Sequence, residues 1–194
     1  NHADEQICVT YARMLANSFP DRASEIILQR MQHASAPLCD QLVCLIGAEL
    51  PVELLHRLES SRDLGDAHER ATVLTTRFEA RDVRMQAQIE PCFASDNPRI
   101  VACGVLGVFS YGLEKRHAFA VQQWQSLLVD TRRPFIYAAL QLGRKLVMPN
   151  SFLPHLCDLL GHADDGVKKA TLAALRHSAL PVDARVTALL EALA

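Results

Sequence analysis

The sequence predicts an all-α fold, an α-solenoid of roughly five antiparallel helix pairs stacked into a right-handed superhelix. Three observations carry that expectation. A ten-residue phrase, Pro98–Gly107, recurs 36 residues on as Pro134–Gly143, with proline, isoleucine, alanine, leucine and glycine in the same places. A looser third copy, Val167–Leu175, follows 32 residues later when Ala138 is laid on Ala170. Three aspartates, Asp96, Asp130 and Asp164, are spaced by 34 residues, each after an apolar segment. Apolar residues also recur at helical spacing almost throughout, with little of the period-two alternation that marks strands.

The elements follow in order. Ile7, Tyr11, Met14 and Leu15 form the first apolar stripe. Asp21 is placed to cap a helix carrying Ile27, Met31 and Ala34, and Leu38, Leu42, Leu45 and Ile46 form a third stripe after Ser35 and Pro37. Pro51 suits the first turn of a short helix with Val52, Leu55 and Leu58, because its missing N–H costs nothing there. Asp66 and Glu69 resemble a capping box ahead of Ala67, Ala71, Leu74 and Phe78. Residues 81–194 are more regular than residues 1–80, and the whole chain reads as a single repeat domain. In the second half Ile89, Cys92 and Phe93, then Trp124, Leu127 and Leu128, then Leu156, Leu159 and Leu160 mark three first helices. The aspartate after each would cap a second helix. Small residues at Ala102, Gly104, Gly107, Ala138, Ala139, Gly143, Ala170 and Ala174 would let second helices approach closely. Asp183 would cap a last helix with Val186, Leu189, Leu190 and Leu193.

Composition narrows the functional classes. Apolar residues make up 49 % and charged residues 22 %, which is ordinary for a packed domain and argues against disorder. No apolar run reaches the ~18 residues of a membrane-spanning helix, and the start, Asn1–Glu5, lacks the basic and apolar regions of a secretory signal. Six scattered cysteines, with no Cys-x-x-Cys, read as small buried hydrophobes in a reducing compartment, which places the chain in the cytoplasm. The missing initiator Met and the apolar last helix suggest a piece of a longer repeat protein, or self-association through the C-terminal end.

The C-terminal third resembles HEAT repeats. Leu153–Leu160 is similar to a HEAT first helix, and Asp164-Asp165-Gly166-Val167-Lys168-Lys169-Ala170 to the aspartate turn and valine-basic step that open the second. Pro98 and Pro134 fit the rigid second-helix start of that family. The resemblance covers about half the chain, Ile89–Leu193, and implies a scaffold whose second helices line a concave binding side. It also implies an alternative, since HEAT-like alkylpurine DNA glycosylases hold DNA in a basic concavity. The net charge of −2 and pI of 6.5 do not favour that alternative.

Catalytic chemistry finds little support, and the chain reads as a non-enzyme with no cofactor. Gly104, Gly107 and Gly112 follow no strand, so they form no phosphate loop. His155, Cys157 and His162 invite a zinc reading, but residues two apart face away from each other on a helix. Charge is more informative. Residues 1–97 carry 9 Arg and no Lys against 15 acids, whereas residues 98–194 carry 11 basic residues against 7 acids. Arg133, Tyr137, Gln141, Arg144 and Lys145 follow helical spacing opposite Phe135, Ala139, Leu142 and Leu146, and Lys169 and Arg176 match them one repeat later. Val101 and Val105 hold the corresponding places one repeat earlier. The expected site is therefore Val101, Val105, Tyr137, Gln141, Arg144, Lys169 and Arg176. It would accept an acidic amphipathic segment of a protein partner, its apolar anchors on the valines and its carboxylates on the cations.

Overall fold

Helices make up most of the chain, and no strand occurs among the described residues. The computed structural model describes residues 2–31, 33–49 and 67–177, together with residues 183, 186 and 187. The chain divides into two compact units, Asn1–Ala87 and Gln88–Ala194. The expected helix at Pro51–Leu58, the Asp66 cap and the Leu189–Leu193 stripe lie outside the described residues.

In the first unit, α1 (His2–Ser18) packs on α2 (Pro20–Met31) and α3 (Ala36–Glu49), and α3 packs in turn on α4 (Ala67–Glu79). Ile27 and Met31 from α2 meet Leu38, Leu42 and Leu45 from α3 in one buried cluster, joined by Val73. Ser35 starts α3 by accepting the Leu38 N–H on its hydroxyl, while that hydroxyl donates to Glu5 at 2.6 Å. Such a cap occupies a backbone donor that the first turn leaves unpaired. Asp21 lies inside α2 and does not precede it. On α1 most of the expected stripe is turned outward: Ile7, Tyr11 and Met14 are exposed, Leu15 packs partly buried against the core, and Val9, Ala12 and Ala16 are the buried row. Both rows have helical spacing. Two alanines in the second row let α2 and α3 come close, and side-chain bulk alone does not identify the covered face.

In the second unit the described residues form six α-helices in succession, together with helical residues at 183, 186 and 187. The six are α5 (Ile89–Phe93), α6 (Pro98–Ser110), α7 (Glu114–Leu128), α8 (Arg133–Leu142), α9 (Leu153–Leu160) and α10 (Asp165–His177). Short 3-10 turns at Val83–Gln88 and Asn150–Phe152 precede α5 and α9. Helix α6 packs on α5, α7 and α8, and α8 packs on α7, α6 and α10. The expected first-helix residues Ile89, Cys92, Trp124, Leu127, Leu128, Leu156, Leu159 and Leu160 are all buried. The Trp124 indole N–H donates to the Ala139 carbonyl at 2.9 Å, and Phe152 meets the Trp124 ring edge-on. Pair α7–α8 is thereby stitched to the start of the next. A methyl at Gly104 would stand 3.0 Å from the Cys92 Cβ and 3.1 Å from the Phe93 ring, so the close approach of α5 to α6 depends on this glycine. Of the cysteines, Cys39, Cys92 and Cys103 are buried, but Cys44 is exposed.

The three aspartates do different jobs. Asp164 behaves as expected: its carboxylate accepts the Val167 N–H at 3.0 Å and caps α10. At α6 the cap is Asn97, one residue past Asp96, accepting the Arg99 N–H at 2.9 Å. Asp130 accepts from the Arg132 N–H and its guanidinium, bracing the turn ahead of α8, whose own N-cap position, Arg132, has no side-chain cap.

Candidate functional site

Helix α8 presents a broad buried side and a narrow wet one. Ile136, Ala138, Ala139, Leu140 and Leu142 are buried, whereas Arg133, Gln141, Arg144 and Lys145 are exposed and Tyr137 is half-buried. At 100° per residue, positions 133, 137 and 141 fall within a sector of about 80°, and Arg144 and Lys145 lie in the turn that follows Leu142. Helix α10 lies beside α8, and two contacts align their N-terminal ends. The Arg133 guanidinium pairs with Asp164 at 2.7 Å. The Tyr137 hydroxyl lies over Gly166, where a methyl would come within 2.3 Å of it. A side chain at position 166 would have to displace the Tyr137 hydroxyl. Lys169 and Arg176 are exposed on one flank of the α10 row that begins at Gly166. The Val167 N–H and the Arg133 charge hold the Asp164 carboxyl below its ordinary range.

Tyr137 and Gln141 thus lie on α8, Arg144 just past its end, and Lys169 and Arg176 on α10, which packs on α8. The fold does not bring Val101 and Val105 to the surface. Both are buried, Val105 completely, because α6 is enclosed by α5, α7 and α8. Buried residues run unbroken from Ile100 to Val108. The valines are core, and the expected apolar portion of the binding face is lost.

Sequence reasoning missed a second feature. A cleft of about 320 Å³ opens between the end of α7, the start of α8 and the end of α9. Leu128, Ile136 and Leu159 supply apolar wall, and His155, Asp158 and His162 supply polar rim. The available signal was the spacing of those three at i, i+3 and i+7 on one helical face, which a search centred on Cys157 passes over. The His162 Nδ1 accepts the Asp164 N–H at 2.9 Å, and the His155 Nε2 lies 3.1 Å from the Gln125 amide nitrogen. Among the described residues no three His, Cys, Asp or Glu side chains are placed to hold a metal ion, and no helix is long and apolar enough to cross a membrane.

Compared with protein-family models, with curated proteins and with solved structures, the chain matches none.

Proposed function

We propose that this chain is a protein-binding module of HEAT-like helix pairs that holds an acidic partner segment against α8 and α10. The observation that carries the reading is the set of exposed residues Gln141 on α8, Arg144 in the turn after it, and Lys169 and Arg176 on α10, beside half-buried Tyr137, with α8 and α10 packed side by side. Cations on a rigid helical frame need little ordering on binding, and Arg–carboxylate bonds are among the stronger hydrogen bonds available to a surface. The succession of contacts from α6 to α8 to α10 supports a solenoid, since in such a fold each pair buries its faces on its neighbours. With the valines buried, the partner's recognition rests on charge and on Tyr137.

Panning a library of displayed disordered segments against the purified chain tests this. Selected segments should be rich in Asp and Glu, and Arg144→Glu with Lys169→Glu should abolish their capture. Selection of segments with no acidic bias, or unchanged capture by the double variant, would overturn the reading. Displacement of the captured segments by duplex DNA at physiological salt would instead favour a phosphate-binding role.

A further inference from the structure

The cleft between α7 and α9 differs in chemistry from the cationic face and calls for a different occupant. Its accessible apolar wall is Val129, with the buried side chains of Leu128, Ile136 and Leu159 behind it. Two helices end at it. Helix α7 stops at Leu128 and α9 at Leu160, and the cleft is lined by residues of both last turns, Leu128, Asp158 and Leu159 among them. The carbonyl end of a helix carries a partial negative charge, felt most within that last turn. The Asp158 carboxylate adds a full charge, is exposed, and has no hydrogen-bond or ion-pair partner among the described residues. Asp130, also at the rim, is already engaged on both oxygens by Arg132.

The imidazoles complete the rim without supplying an obvious anion site. The His162 Nδ1 is occupied as an acceptor by the Asp164 N–H, and the His155 Nε2 accepts from the Gln125 amide. An anion would face Asp158 and two helix C-termini, which disfavours it by simple Coulomb repulsion. A metal ion lacks a set of three suitably placed ligands. What fits is an organic cation with an apolar stem.

We infer that this cleft is a receptor for an arginine side chain of a partner polypeptide, its methylene stem on Val129 above Leu128, Ile136 and Leu159 and its guanidinium on Asp158 and the carbonyl end of α7. The volume suits one long side chain, and an arginine buries its stem on apolar surface while its head forms forked bonds to a carboxylate. This site is independent of the α8–α10 face and stands whether or not that face binds acidic segments.

The test is a titration of the intact ¹⁵N-labelled chain with N-acetyl-arginine amide, and in parallel with the uncharged citrulline analogue of nearly the same shape. The arginine probe should produce saturable shifts at the amides of Leu128, Val129, Leu159 and His162. Loss of one charge-assisted hydrogen bond corresponds to about a tenfold weakening. The citrulline probe and the Asp158→Asn variant should each show a loss of that order. The Arg144→Glu, Lys169→Glu double variant should bind the probe as the unmodified chain does. Equal shifts from the citrulline probe, unchanged affinity in Asp158→Asn, or shifts absent from these four amides would overturn the assignment.

Discussion

Arg77 and Asp82 form an ion pair at 2.9 Å with both side chains only 3 % exposed, the most deeply buried charge pair of the first unit's described residues. Arg84 closes over the same carboxylate from the solvent side at 2.9 Å. Burial alone would raise the Asp82 pKa, but the hydrogen bonds from Arg84 and Arg77 outweigh it and hold the group down to about 2. A depressed carboxylate contributes stability that is fully present above its unfolded pKa and is lost as pH falls through the folded value. For Asp82 that window runs from about 3.8 down to about 2, and the contribution is on the order of 2 kcal/mol. Urea unfolding at a series of pH values should show stability falling across this window, with a shallower fall in Asp82→Asn. At pH 7 the same variant should be destabilised, because it removes the carboxylate that Arg77 and Arg84 both bond.

Trp124 is the single tryptophan and is wholly buried, so its emission reports on the second unit alone. Native emission should be blue-shifted and should move to the red on unfolding. Trp124→Phe keeps an aromatic ring but removes the donor to the Ala139 carbonyl. A loss of about 1–3 kcal/mol is expected from the lost hydrogen bond together with the smaller ring, the Ala139 carbonyl keeping the Gly143 N–H, measured by circular dichroism since the fluorophore is gone. A neutral substitution would mean that the bond contributes nothing net.

The helix cap at α6 separates two neighbouring residues. Asn97→Ala should cost about 1 kcal/mol, because it frees the Arg99 N–H. Asp96→Ala, at an exposed position, should stay within about 0.5 kcal/mol of the parent. Chemical denaturation of the two variants side by side would reverse the cap assignment if Asp96→Ala proved the costlier.

Gly104→Ala sets helix propensity against packing. Propensity favours alanine by about 1 kcal/mol, yet the added methyl would press on the Cys92 Cβ and the Phe93 ring. Overpacking of this kind costs about 1–3 kcal/mol. The expected net result is a lower midpoint in thermal unfolding. A higher midpoint would show that the short helix α5 yields freely.

His117 carries the one buried side-chain nitrogen without a hydrogen-bond partner among the described residues, its Nε2, and its ring stacks on Phe109 at 4.7 Å. Replacing an unsatisfied buried polar group by an apolar one of similar shape is neutral or favourable. His117→Phe should therefore keep or raise the unfolding free energy, by up to about 1 kcal/mol. A clear loss in urea titration would reveal a role for the imidazole beyond stacking.

Much of the helical plan was legible in the residues themselves. Helical spacing of Leu38, Leu42 and Leu45, of Ala71, Leu74 and Phe78, and of Leu156, Leu159 and Leu160 marked faces that are buried. Backbone periodicity and apolar burial are local properties, so a single chain displays them. The Asp164 cap was readable for the same reason, since its partner lies three residues away. Choices between equivalent local patterns belonged to the tertiary structure. Ile7, Tyr11 and Met14 share helical spacing with Val9, Ala12 and Ala16, and only the approach of α2 and α3 selected the smaller row for burial. Val101 and Val105 align with Tyr137 and Gln141 in the repeat, but α6 has packed neighbours where α8 meets solvent. The cleft at Asp158 needed the ends of α7 and α9 brought side by side, across 30 residues between Leu128 and Asp158. Periodicity states which residues share a side of one helix. Which side is covered, and which ends meet, depends on partners distant in sequence, and packing alone decides that.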